Sequence, residues 1–200
     1  TLGGKDLEFC FFITHDKTGA SVGVYRSLQE KRIVVSFRGT CAPIDLVTDA
    51  SIVQVPWIES EEGYDEQTLK NIDHQTFPMV HVGFRNSMDS IARRLKTLVL
   101  ASVDVEAGHA MEDYEILVTG HSLGGALATL FTADIAEFGI DAGRSLPQKA
   151  PSDPWWKGIA STFGKKGDTI IKPKNKGPPR PRSLKMYNFG SPRAGNPAFA

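Results

Sequence analysis

Charge of one sign is what this chain lacks most plainly: 23 Lys and Arg are matched by 23 Asp and Glu, a formal net charge of +0. Neutrality argues against nucleic acid as the main partner, because phosphate backbones are held by an excess of basic side chains. No apolar run is long enough to cross a bilayer as a helix. The longest, such as Ile33-Val34-Val35 and Leu98-Val99-Leu100-Ala101, have the length of core strands or parts of helices. Cysteine is scarce. Cys10 and Cys41 both lie in or beside apolar runs, where a buried free thiol is the first expectation and a disulfide the lesser one. Cys and His never occur in paired metal-ligand spacing, so no metal is expected, and nothing implies an organic cofactor. Histidine is missing after residue 121; the five are His15, His74, His81, His109 and His121. The first residues, Thr1-Leu2-Gly3-Gly4, contain no Met and no targeting signal, so the chain reads as part of something longer and no compartment follows.

What is present is an ordinary globular composition. Hydrophobic residues make up 40% of 200 and charged residues 23%, enough for one domain with a full core. Leu7 to Thr14 is apolar and aromatic, and fits helix or strand. Ser21 to Ser27 alternates and predicts a strand, Gln29-Glu30-Lys31 a polar turn, and the β-branched stretch Arg32 to Phe37 a second strand of the same hairpin. Ile52 to Val55 predicts a short strand stopped by Pro56, and residues 57–77 a polar surface excursion. Phe84 to about Val103 is an amphipathic helix, with Phe84, Met88, Ile91, Leu95, Leu98 and Ser102 on one face. Arg93, Arg94 and Lys96 fall elsewhere and read as a solvated charge face. Ile116 to Thr119 and Leu184 to Phe189 predict strands, and Ser122 to about Phe138 a helix. Strands alternating with helices give the α/β class: a mostly parallel sheet, helices on both faces, right-handed crossovers.

Residues 139–183 interrupt that pattern. They are rich in Gly, Pro, Lys and Ser, and end in a basic stretch with Lys172, Lys174, Lys176, Arg180 and Arg182. A flexible insertion is the favoured expectation. Within it, Ser152-Asp153-Pro154 resembles a helix start, and Trp155, Trp156, Ile159 and Phe163 share one face, the pattern of an interfacial membrane helix. A helix leaving residue 122 runs away from the strand ends that precede it. The insertion is therefore expected on the far side of the sheet, and not as a lid.

The most informative residues are Gly120-His121-Ser122-Leu123-Gly124. They are G-x-S-x-G between an apolar strand and a helix-forming run, the sequence form of a nucleophile elbow. Strand and helix backbones pass too close there for side chains, hence the glycines. The serine hydroxyl is presented at a helix N-terminus, whose free N–H groups favour developing negative charge.

Three segments then share one pattern: Ile33 to Thr40, Val118 to Ala128, and Met186 to Asn196, with His81-Val82-Gly83-Phe84 as a fourth. Over about residues 21–138 and 184–200 the chain resembles the class 3 lipases, the fungal-type triacylglycerol lipases, with 139–183 lacking a clear counterpart in shorter members. The resemblance implies a single α/β-hydrolase domain over 1–200, incomplete at its C-terminal end, and carboxylic ester hydrolysis. Ser122 would be the nucleophile. The backbone N–H groups of Leu123 and Thr40 would be oxyanion donors, with the Thr40 hydroxyl as helper; fixed donors of this kind stabilise the tetrahedral intermediate. Pro43-Ile44-Asp45-Leu46-Val47 falls where the family places its lid, and is otherwise a plain packed loop. Arg38 is expected to pair structurally with Asp45 or Asp49.

The resemblance also implies that the triad acid and histidine follow the Ser191-Pro192-Arg193-Ala194-Gly195 segment, so they are not expected within 1–200. Asp134, Asp141, Asp153 and Asp168 are not promoted to triad acid. His121 adjoins the nucleophile on a sharp turn and is expected to pack or hydrogen-bond, not to act as base; His81 corresponds to a structural histidine. The implied partner is an acyl lipid substrate, with transient contact at a lipid interface. A relative that binds lipid without catalysis, or an acyltransferase, are the alternatives. Triacylglycerol, phospholipid and galactolipid are not distinguished.

Overall fold

The computed structural model describes residues 6–39, 53–57, 76–142 and 177–199. Among the described residues, seven strands and two α-helices follow in chain order, with one 3-10 turn at Met111–Asp113. They are β1 (Glu8–Thr14), β2 (Ser21–Ser27), β3 (Arg32–Phe37), β4 (Gln54–Pro56), β5 (Met79–His81), α1 (Val82–Ala101), β6 (Glu115–His121), α2 (Leu123–Phe138) and β7 (Ser183–Phe189). Five strands form the main sheet in the order β1-β2-β3-β6-β7, and β4 and β5 form a small one.

The sheet is mixed. β1, β2 and β3 are antiparallel neighbours, whereas β3, β6 and β7 run parallel. The antiparallel half follows from short connections, since tight turns can only reverse the chain. The β2–β3 turn closes through Lys31, at φ 48°, with its amide on the Leu28 carbonyl. The ambiguous stretch 7–14 is strand β1, with an irregularity between Phe9 and Phe11. Cys10 sits at that irregularity, a half-buried free thiol whose pKa burial pushes up; Cys41 lies outside the described residues. Pro56 does not stop the short strand but belongs to it, opposite Met79, on an edge where a missing N–H is tolerated.

Alternation decides the faces. Val22, Val24, Ile33, Val35, Phe37, Ile116 and Val118 are fully buried on one side. Both helices cover that side: Arg26 reaches the Ser102 carbonyl after α1, and Asn188 reaches Thr129 of α2 at 3.3 Å. α1 runs from the C-terminal edge of the parallel strands toward the opposite edge, because Ser90 bonds Thr18 at the β1–β2 turn (3.0 Å) while Ser102 lies near Arg26. On the second face Phe12, Gly23, Ser36, Thr119 and Tyr187 form one row. Phe12 and Tyr187 remain more than half exposed. No described helix covers this face, whereas the alternation of elements predicts helices on both.

α1 buries Phe84, Met88, Ile91, Leu95 and Val99 at helical spacing. α2 is apolar around most of its circumference, with Leu123, Leu127, Leu130 and Phe131 buried. A helix buried on this scale is sandwiched, here between the sheet and α1. Their seam overturns the solvated charge face expected at Lys96. Its ammonium is 0% exposed and lies 2.6 Å from the equally buried Asp134 carboxylate of α2. Spacing on α1 alone could not reveal a partner on another helix. Among the expected solvated cations, Arg94 is exposed and Arg93 half-buried.

The stretch after α2 leaves from the edge opposite the elbow. Ile140 donates to the Pro179 carbonyl and Arg182 to Tyr114, just ahead of β6. The described residues on either side of 143–176 therefore meet at that far edge, while 143–176, with the tryptophans at 155 and 156, lie outside the described residues.

Candidate active site

Ser122 occupies the junction between β6 and α2. Its backbone has φ 55° and ψ −128°, a positive φ that L-residues adopt only under constraint, at a cost of about 1–3 kcal/mol. Lys31 is the other non-glycine residue with positive φ among the described ones, and it serves a hairpin turn.

Three backbones converge to hold the strained turn. A Cβ on Gly120 would strike the Gly124 carbonyl. One on Gly124 would come 2.5 Å from the Phe37 carbonyl at the end of β3, and one on Gly125 2.7 Å from the Ser191 Cβ beyond β7. These approaches give the glycines of the motif a steric reason. The Ser122 amide donates to the Phe189 carbonyl at 2.9 Å, and its own carbonyl accepts from Gly125 at 2.8 Å. Strands β3 and β7 thus grip the elbow from both sides.

The Leu123 amide opens α2, where helical geometry supplies no internal carbonyl. Thr40 lies outside the described residues. Its neighbour Gly39 does not: a Cβ there would stand 2.8 Å from the His121 carbonyl and 3.7 Å from the Ser122 Cβ. The chain therefore approaches Thr40 in contact with the elbow. Pro43 to Val47, and Asp45 and Asp49 as partners of Arg38, also fall outside the described residues.

The histidines stand elsewhere. The His121 side chain is exposed and faces Gly190, with Nε2 3.6 Å from where a Cβ would sit. His81 packs edge-on against Phe84, and His109 against Tyr114. His15 shares a 3.0 Å hydrogen bond with Thr18, and His74 is not among the described residues. Among the described residues no side chain hydrogen-bonds the Ser122 hydroxyl, and no cluster of His, Cys, Asp and Glu is arranged to hold a metal. Asp134 is committed to Lys96.

A cavity of about 500 Å³ flanks α2 between Thr129, Met186, Arg193 and Phe199. Its neighbour Asn196, which the sequence does not mark as a functional side chain, joins the segment after β7 to Phe77 and Met79 at the start of β5 through three hydrogen bonds. The signal available was its place beside Gly195, a small-residue step ending the Ser-Pro-Arg segment.

Comparison with known proteins bears on the family and the fold. The chain is 31% identical over 143 residues to phospholipase A1-IIgamma of Arabidopsis thaliana, covering 69% of this chain and 31% of that protein. It is 31% identical over 184 residues to secreted mono- and diacylglycerol lipase 1 of Fusarium solani, covering 92% and 37%. The chain thus spans about a third of the length of these curated relatives. Its fold is similar to that of a lipase from Rhizopus microsporus var. chinensis, with a TM-score of 0.56 at 26% identity over 98% of this chain and 48% of that one. The model of the family described as Lipase (class 3) matches residues 34–149, more than half of the sequence, and the chain belongs to the class 3 lipase family.

Proposed function

We propose that this chain carries the nucleophile-bearing part of a serine carboxylic ester hydrolase acting on acyl lipids. The observation that carries the reading is the strained backbone of Ser122, φ 55° and ψ −128°, held between a parallel strand and a helix N-terminus. Strain of this kind persists only where neighbouring structure enforces it, and its use here is to present an alcohol at the sheet edge. The lipid substrate class rests on relatives named phospholipase A1 and mono- and diacylglycerol lipase.

The Ser122 hydroxyl attacks the ester carbonyl and loses its proton to a base. Negative charge moves to the former carbonyl oxygen, where the Leu123 amide and the Thr40 amide act as donors. Loss of one such donor typically slows turnover by about 10²–10³-fold. Collapse of the intermediate expels the alcohol or lysolipid, which takes up the proton, and water then hydrolyses the acyl-enzyme. This assigns the nucleophile and anion-holding amides to residues 40–123. The base is assigned to none of the histidines at 15, 74, 81, 109 and 121; among the described residues no side chain hydrogen-bonds the Ser122 hydroxyl. The insertion over 139–183 is not assigned as the lid, because its described flanks, Ile140 and Pro179, meet at the edge opposite Ser122.

The test is a fluorophosphonate probe applied to the full-length folded protein, with the adduct mapped by mass spectrometry. A single adduct on Ser122 is expected, and an unlabelled Ser122 in folded protein sinks the proposal.

A further inference from the structure

We propose that Asn196 is a positioning residue for Ser122, acting through the segment that follows β7; this rests on the nucleophile reading above. Asn196 is 7% exposed, and both ends of its amide are used. Oδ1 accepts the N–H groups of Met79 and Phe199, each at 3.0 Å. Nδ2 donates to the Phe77 carbonyl at 2.7 Å. Its backbone amide donates to the Met79 carbonyl at 2.9 Å. The neighbours continue the join: the His81 amide donates to the Ala194 carbonyl at 3.0 Å, and Val80 pairs with Gly195. Gly195 leaves no room for a side chain, since a Cβ would strike the Met79 carbonyl. Segments 117 residues apart, one entering α1 and one leaving β7, are clasped.

The path from the clasp to the nucleophile is short. Ser191, three residues before Ala194, lies against Gly125 in the first turn of α2. Phe189, two residues earlier still, accepts the Ser122 amide. A strained turn relaxes unless it is held from more than one side. Phe37 and Gly39 hold it from the β3 side, and the clasp fixes the segment that holds it from the β7 side. Asn meets the chemical demand, one oxygen serving two N–H groups and one nitrogen donating to a carbonyl. Aspartate turns a second acceptor toward Phe77, unless that oxygen is protonated. Alanine removes the acceptor of the Met79 N–H and the donor to the Phe77 carbonyl, while the Phe199 N–H keeps the backbone carbonyl of residue 196.

The experiment uses full-length protein, with the fluorophosphonate labelling rate and kcat and KM on p-nitrophenyl butyrate normalised to titrated active serine. Asn196→Ala is expected to lower kcat and the labelling rate per active site by about tenfold or more, with KM within about twofold, as small displacements of reacting groups do. Asn196→Asp is expected to recover relative to wild type as the pH falls from about 8 to about 5, because a buried carboxyl gains its proton in that range and can then donate to Phe77. Glu115→Gln, at the opposite sheet edge, is the control: it lowers stability and leaves kcat unchanged.

Unchanged kcat and labelling per active serine in Asn196→Ala, with stability alone reduced, overturns the proposal. Should Asn196→Ala not fold, a pH-independent ratio of Asn196→Asp to wild type overturns it instead. Wild-type protein unlabelled at Ser122 is a separate outcome, which removes the nucleophile reading and this inference with it.

Discussion

The two ends of the parallel strands are built from different materials. At the C-terminal edge, where Ser122 stands, backbones touch backbones: Gly120 against Gly124, Gly124 against Phe37, Gly39 against His121. At the N-terminal edge, long side chains meet instead. Glu115 of β6 lies 2.7 Å from Arg32 of β3 and 2.6 Å from Lys185 of β7, and Arg32 also pairs with Glu30. Backbone contacts fix a geometry within tenths of an ångström and forgive no added atom. Flexible charged side chains accommodate and contribute modestly, the more so where solvent screens them. One edge is therefore built for a fixed geometry and the other for stability.

The comparison breaks first at Ser122. Ser122→Ala is expected to abolish phosphonate labelling and lower kcat on the order of a millionfold, as loss of a triad nucleophile does. Ser122→Gly removes the same hydroxyl but also the penalty of a positive φ, and is expected to raise stability by about 1 kcal/mol in urea unfolding. A Ser122→Gly variant less stable than wild type would contradict the strain described here.

Between the two edges lies the buried Lys96–Asp134 pair. Lys96→Met removes the cation facing the fully buried Asp134 carboxylate and is expected to cost about 3–5 kcal/mol, whereas the double variant with Asp134→Leu regains most of it. Urea midpoints of the two single variants and the double measure this directly. Gly124→Ala comes next. Its Cβ meets the Phe37 carbonyl, a backbone atom that cannot swing aside, and a loss of about 2–3 kcal/mol is expected from unfolding curves.

The smallest effect belongs to the charged edge. Hydrogen bonding from Lys185, aided by Arg32, holds the Glu115 carboxyl below its ordinary pKa despite desolvation. A depressed carboxyl stabilises the fold above its unfolded value and loses that contribution as pH falls through the folded one. With Lys185 half exposed, the contribution is about 1 kcal/mol or less. Stability measured from pH 7 to pH 3 is expected to fall less steeply in Glu115→Gln than in wild type. Equal slopes would show the cluster to be without energetic weight.

The candidate site was legible where the chemistry demanded particular residues close together in sequence. G-x-S-x-G between an apolar strand and a helix run is local, and the structure places Ser122 on the strained turn the pattern predicts. Helix α1 was legible through Phe84, Met88, Ile91 and Leu95, which repeat at its own period. Lys96 was not, because the same period puts it outside the apolar stripe and says nothing of Asp134, which belongs to another helix. Asn196 was not, because its partners Phe77 and Met79 are more than a hundred residues away.

By itself the sequence determined β2, β3, β6, β7, the two described α-helices, the elbow and the α/β class, since strand alternation, helix period and glycine sterics all act within a few residues. Only the tertiary structure decided that 7–14 is a strand extending the antiparallel hairpin, that both described α-helices share one face, and that a lysine and an asparagine lie buried at its joints. Those outcomes depend on which distant segments meet, and a buried polar group is tolerated only where such a meeting supplies its partner.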